Sequence, residues 1–213
     1  LRRELDDPTI GEGERCGRCD NCTGNHLSAD VDPALVERID ARLQAPGVPL
    51  SQRKMWPTGS ARRGKIKGVL GGKALGRLND VARGPALAGL LRDNAYRPAG
   101  NWRDDQWLTR FVAVLADWEW SQRPATIVAL GTADPARSEM VAATAEALAG
   151  VGQMAFGGVV RAGEAEVEAR NSAFRVNALD RYFDYSGLAV DAGPVLLLTG
   201  EVDSGWSVTV AAA

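Results

Sequence analysis

A mixed architecture is what this 213-residue sequence predicts: a small metal-stapled helical module, a basic segment of short helices and irregular chain, then an α/β domain on a parallel sheet. Three observations predict it. All three cysteines fall between Cys16 and Cys22, the Lys and Arg residues concentrate in the middle of the chain, and after Pro124 short apolar runs alternate with helical spacing. The corresponding divisions are 1–28, 29–103 and 104–213. Leu1 opens inside a charged segment of helical character and Ala213 follows a strand and a turn, so both ends read as cut and the outer divisions as truncated.

With 45% hydrophobic and 24% charged residues, the chain is long enough for one sizeable core plus a smaller module. No run approaches the roughly 20 apolar residues of a membrane span, and the opening LRRELDDP lacks a signal peptide's apolar stretch. Clustered thiols that cannot pair off evenly suit a reducing compartment, so the expectation is a cytoplasmic protein without a membrane partner. The net charge of −2 hides an asymmetry: residues 1–52 carry −4, residues 53–110 carry +9 and residues 111–213 carry −7. The middle is where a polyanion would bind.

The first element, ending in the turn Thr23-Gly24-Asn25, is too short for a core, so a metal would have to replace one. Asp32 is placed to cap a helix with Pro33 at its first position, and Leu35, Ile39 and Leu43 form its apolar stripe before Pro46-Gly47. Val48 to Gly84 reads as turns and short elements, with Leu70, Leu75 and Leu78 as its main apolar residues. Pro85 opens a helix burying Leu87, Leu90 and Leu91. Asp104 or Asp105 caps the next, whose stripe is Trp107, Phe111, Val114, Leu115 and Trp118, with the tryptophans expected in the core.

Thr126–Leu130 is a buried-strand run, Pro135–Gly150 a helix, and Gln153–Val160 a second strand. Arg161–Asn171 is expected to be a mobile loop, Ser172–Tyr185 a helix and Pro194–Leu198 a third strand. Such alternation argues for a parallel sheet whose ligands bind beyond the C-terminal strand ends.

In Cys16-Gly17-Arg18-Cys19-Asp20-Asn21-Cys22 the CxxC spacing lets thiolates converge on one ion, zinc above all. The fourth ligand is either His26 or a cysteine before Leu1. The string CGRCDNC resembles the zinc-binding segment of RecQ-family DNA helicases, in which a preceding helix supplies an earlier cysteine. RKMWPTG and RRGKIKG are similar to the region that follows in a bacterial RecQ-like subgroup ending in a phosphoribosyltransferase-like domain. The resemblance implies that this chain is the C-terminal, motor-free part of a 3′-to-5′ ATP-dependent DNA helicase of repair and recombination. Its partners would be single-stranded or forked DNA and the N-terminal motor, which alone would use ATP and magnesium. Gly59-Ser60-Ala61-Arg62-Arg63-Gly64-Lys65 fits most of a phosphate-binding loop. However, Ile66 lacks the magnesium-binding hydroxyl and no apolar strand precedes it, so it is rejected as an ATP site.

Arg53, Lys54, Arg62, Arg63, Lys65 and Lys67 crowd around Trp56, pairing phosphate-neutralising charge with a ring for base stacking. Alternatively, Trp56 packs in the core before Pro57. At the C-terminal end, Val195–Leu198 followed by Thr199 to Ser207 resembles the strand and loop that hold phosphoribosyl pyrophosphate in phosphoribosyltransferases. Asp203, Ser204, Gly205 and Ser207 would be its phosphate-binding residues. Asn171-Ser172 and Arg175 resemble the start of that family's preceding helix. The family's two adjacent carboxylates are replaced by Thr199 and Gly200, so no catalytic residue is assigned. Two other functions compete: a phosphoribosyl pyrophosphate-dependent transferase or nucleotide sensor, and a protein-interaction platform in which the acidic domain docks a partner or covers the basic segment when DNA is absent.

Overall fold

The computed structural model describes residues 8, 9, 11, 13–26, 28, 30–81, 83–163 and 171–213, with the side chains of 40–44 left aside. They form two compact units, Leu1–Ala45 and Pro46–Ala213. Neither boundary expected near residues 28 and 103 coincides with this division. The charged opening at residues 1–7, and residues 164–170 of the expected mobile loop, lie outside the described residues.

In the first unit, a one-turn helix α1 (Asp20–Thr23) carries the last cysteine and α2 spans Pro33–Gln44. Asp32 caps α2 as its position predicts, its carboxylate accepting from Ala34 N at 2.9 Å. Two residues of the apolar stripe do not turn inward: Leu35 is 40% and Ile39 49% exposed. Periodicity fixes which residues share a helix face, and says nothing of whether anything covers it.

The second unit opens with a small antiparallel pair, β1 (Val48–Leu50) and β2 (Gly72–Ala74), in register Val48 with Ala74. Gly47 makes the turn before β1 at φ 75°, and a Cβ there would lie 3.1 Å from both Ala74 O and Val114 Cγ2. Only glycine satisfies both the turn and the close approach. Of the segment's main apolar residues, Leu70 and Leu78 are 68% and 54% exposed, whereas Leu75 is half-buried.

Helix α3 (Gly84–Asp93) buries Leu87, with Leu90 and Leu91 against the main core, and α4 spans Gln106–Ala116. Of the two candidate caps, Asp105 is the one used: its Oδ1 accepts from Trp107 N and Leu108 N, its Oδ2 from Ala99 N and Tyr96 Oη. Leu108 and Val114 are the buried residues of α4, while Trp107 and Trp118 are only half-buried. Trp118 lies beyond the helix and stacks on Trp120 at 4.2 Å. Because the helix ends at Ala116, the stripe cannot continue to Trp118.

The main sheet has the order β5-β4-β3-β6, from β3 (Thr126–Leu130), β4 (Ala155–Ala162), β5 (Phe183–Asp184) and β6 (Val195–Leu198). β3 runs parallel to both β4 and β6, as the alternating pattern predicts. The edge strand β5 is antiparallel to β4 and was not foreseen. It arises because α6 stops at Leu179 (Ser172–Leu179), so Phe183 leaves the expected helix and pairs with Ala162. Arg161, assigned to the loop, is also in this pair.

All five residues of β3 are buried. Its alternate residues serve two cores: Ile127 and Ala129 meet α5 (Pro135–Gly152) through Met140, Val141, Ala145 and Leu148, together with Leu108. Val128 and Leu130 meet Val160 and Ala211 of α7 (Trp206–Ala212) on the other face. A third cluster joins α6 to α7 through Val176, Leu179, Trp206 and Val210. Each fully buried aliphatic side chain contributes roughly 1.5–3 kcal/mol of transfer free energy.

Asp105 is the buried carboxylate on which the start of α4 depends. Burial pushes its carboxyl upward, but the N–H groups of Ala99, Leu108 and Trp107 and the Tyr96 hydroxyl outweigh this and hold it below the usual range. A depressed folded-state value means stability that is present above the unfolded carboxyl value and lost as pH falls through the folded one. Asp105→Ala is expected to cost about 2–3 kcal/mol in urea unfolding at neutral pH. Asp105→Asn should flatten the acid limb of the stability curve between about pH 5 and pH 2.

Candidate functional site

The cysteine turn is built by Gly17, at φ 67°, and by α1, for which Cys19 is the N-cap. It brings the three sulfurs together. Cys16 Sγ lies 3.4 Å from Cys22 Sγ, Cys19 Sγ lies 3.3 Å from Cys22 Sγ, and all three are within 4.8 Å of one another. Tetrahedral thiolates at the usual Zn–S distance of 2.3 Å stand about 3.8 Å apart, close to the two contacts that Cys22 makes here.

The thiols are free rather than bridged. Backbone N–H groups of Arg18 and then Cys19 point at Cys16 and draw its thiol down to about 6, the behaviour of a sulfur ready to act as a thiolate ligand. Cys19 is pushed up by the hydrogen bonds it shares with Cys16 and Cys22. Cys16, Cys19 and Cys22 thus lie close enough to hold a metal ion. Among the described residues His26 does not join the cluster. Cobalt(II) added to the reduced chain is expected to give a thiolate charge-transfer band, and Cys19→Ser should weaken or abolish it in a titration followed by absorbance.

In the second unit the basic segment forms a hairpin, with Met55 bridged to Lys65, Trp56 N donating to Gly64 O and Ile66 N donating to Lys54 O. The seven residues expected to meet DNA separate into two sets. Arg53, Trp56 and Arg62 are engaged with the α/β layer. Trp56 stacks on Trp206 at 6.2 Å, Arg62 lies 5.0 Å over the Trp56 ring and Arg53 lies 4.9 Å over that of Trp206. The Arg62 guanidinium also pairs with Asp180 at 2.7 Å, and Arg53 donates to Ser204 O at 2.6 Å. By contrast, Lys54, Arg63, Lys65 and Lys67 are exposed and form no hydrogen bond or ion pair through their side chains among the described residues.

Trp56 therefore belongs to the third hydrophobic cluster, with Ile66, Tyr182 and Phe183 around it. The loop tip is held from within: buried Ser60 donates its hydroxyl to the Arg62 carbonyl at 2.6 Å.

The loop between β6 and α7 lies at the C-terminal strand edge. Gly205, at φ 80°, is the N-cap of α7. Arg175 of α6 donates to both Asp203 Oδ2 and Ser204 Oγ at 2.6 Å, which holds the Asp203 carboxyl below its ordinary range. Asn171 caps α6 by accepting from Phe174 N. Of the four phosphate-loop residues, Asp203 and Ser204 thus meet Arg175, Gly205 shapes the turn, and Ser207 lies in the first turn of α7.

A second polar network at this edge went unforeseen. Arg137 donates to Glu201 at 2.7 Å, to Asn94 at 3.1 Å and to Leu91 O at 2.7 Å, and Asn94 donates in turn to Asp134 at 2.7 Å. Asp134 also caps α5, accepting from Ala136 N and Arg137 N. The Asp134-Pro135 pair signals the cap, but nothing local links Arg137 to Glu201. A scan against protein-family models, a search of curated proteins and a search of solved structures each found no match to this chain.

Trp56→Ala is expected to lower the stability of the second unit by about 3 kcal/mol, read from its denaturant midpoint, because the change opens a void beside Trp206. Lys54→Ala, at an exposed position, should shift that midpoint by less than about 0.5 kcal/mol.

Proposed function

We propose that the chain is the zinc-stabilised, DNA-binding C-terminal region of a RecQ-like helicase, acting beside a motor carried elsewhere in the protein. The observation that carries this reading is the set of unpaired cations on the hairpin, Lys54, Arg63, Lys65 and Lys67, whose neighbours Arg53 and Arg62 are fixed by the fold. A fold that satisfies two arginines internally while leaving four adjacent cations in solvent presents a positive surface on an anchored support. Such a surface gathers phosphate without reading sequence. Zinc is the ion that three converging thiolates favour in a reducing compartment, and its role would be to replace the core that the first unit is too short to build.

The α/β layer fits a phosphoribosyltransferase-like origin in its strand, glycine turn and short helix. Its use as a transferase is opposed by the site itself. Glu201 and Asp203, the loop's two carboxylates, are spent on Arg137 and Arg175, and Thr199 and Gly200 offer nothing to hold ribose hydroxyls. The layer serves instead as the support on which the hairpin is seated.

Anisotropy of labelled single-stranded and forked DNA over a salt series tests the proposal. The native chain should bind with a steep salt slope, and Arg63→Glu with Lys65→Glu should reduce that slope on single strands by about 1.4, two phosphates at about 0.7 each. Absence of binding at low salt would remove the DNA reading and leave the interaction-platform reading in its place.

A further inference from the structure

Phe174 is 60% exposed, although large rings on helices ordinarily turn inward. The other faces of α6 are all occupied. Val176 and Leu179 enter the core, and Arg175 reaches the loop before α7. Ala173, Asn177 and Asp180 face the hairpin: a Cβ on Gly59 would lie 3.9 Å from that of Ala173, Asn177 Oδ1 accepts from Ala61 N at 2.6 Å, and Asp180 pairs with Arg62.

At about 100° per residue, Phe174 falls on the remaining, solvent-facing side, next to the hairpin stripe. Arg181, just past the helix end and next to Asp180, is exposed and without a partner among the described residues. The Arg62–Asp180 ion pair is followed in each strand of chain by another arginine, Arg63 and Arg181, so two unpaired cations flank one anchored contact. An exposed ring on the helix whose end carries this contact and its flanking cations has the composition of a stacking platform for single-stranded nucleic acid.

We infer that α6 extends the DNA surface beyond the hairpin, with Phe174 as the ring on which an unpaired base stacks and Arg181 as a further phosphate contact. This rests on the hairpin reading above. Trp56, the aromatic residue the sequence offers for the task, is committed to Trp206 and Arg62, whereas Phe174 has an open face. The partner is single-stranded because a base paired and stacked within duplex has no face to offer.

The test compares the native chain with Phe174→Ala, Phe174→Tyr and Arg181→Glu on an oligothymidylate of about 20 nucleotides and on an abasic strand of the same length, at several salt concentrations. Phe174→Ala should weaken oligothymidylate binding by about tenfold, the size of one stacked base, while leaving the salt slope intact. It should leave the abasic strand unaffected, and Phe174→Tyr should restore affinity. Arg181→Glu should lower the slope on both strands.

If Phe174→Ala binds oligothymidylate as tightly as the native chain, or weakens both strands equally, the stacking role is overturned while the hairpin reading stands. If the native chain binds neither strand, both fall. Substituting an exposed ring leaves the core untouched, and urea unfolding of Phe174→Ala with an unchanged midpoint excludes loss of fold as the cause of weaker binding.

Discussion

The complete burial of β3 is the constraint from which the second unit follows. A strand with neighbours on both sides and apolar residues on both faces must be covered by helices above and below, and these five residues satisfy that with Ile127 and Ala129 on one side and Val128 and Leu130 on the other. The parallel pairing to β4 and β6 brings the C-terminal strand ends to one edge. There the loops before α5 and α7 and the first turn of α5 collect Asp134, Arg137, Glu201 and Asp203, a switch-point arrangement in which such folds usually hold ligands. Here the arginines and carboxylates of that edge neutralise each other.

The basic hairpin depends on this layer in turn. A short loop rich in Gly and Arg buries too little on its own, and it gains its position from Trp56 against Trp206 with a guanidinium over each ring. Sixfold repetition of positive charge between residues 53 and 67 thus serves two ends. Arg53 and Arg62, adjacent to the indoles, use stem, plane and charge together, which a lysine could not do as well. Lys54, Arg63, Lys65 and Lys67 project into solvent, and the two α6-facing contacts at Ala61 and Arg62 fix the direction of that projection.

Local signals in the sequence were sufficient wherever the structure is locally determined. Asp32 caps the helix its position predicts, Asp105 is the one of the two candidates at 104 and 105 that caps α4, β3 has the bounds expected of it, and the CxxC spacing does gather three sulfurs. Long-range partners were not legible. Nothing near Arg62 announces Asp180, and nothing near Trp56 announces Trp206, so an anchoring aromatic and a base-stacking one read alike. Phe183 failed for a related reason: helical spacing ran on through it, but its partner Ala162 lies on another strand, and pairing overrode the local pattern. Leu35 and Ile39 show the converse, a stripe correctly read as helical whose exposure no periodicity could reveal.

The two stacked tryptophan pairs differ in how far apart their members lie along the chain. Trp118 and Trp120 are near neighbours in sequence, in contact at 4.2 Å. Trp56 and Trp206 come from opposite ends of the second unit, at 6.2 Å and 23° between planes. Indole transition dipoles at such separations couple, so the second pair imprints an exciton contribution on the circular dichroism that exists only while the hairpin is seated. The molecule thereby carries an optical gauge of its own assembly.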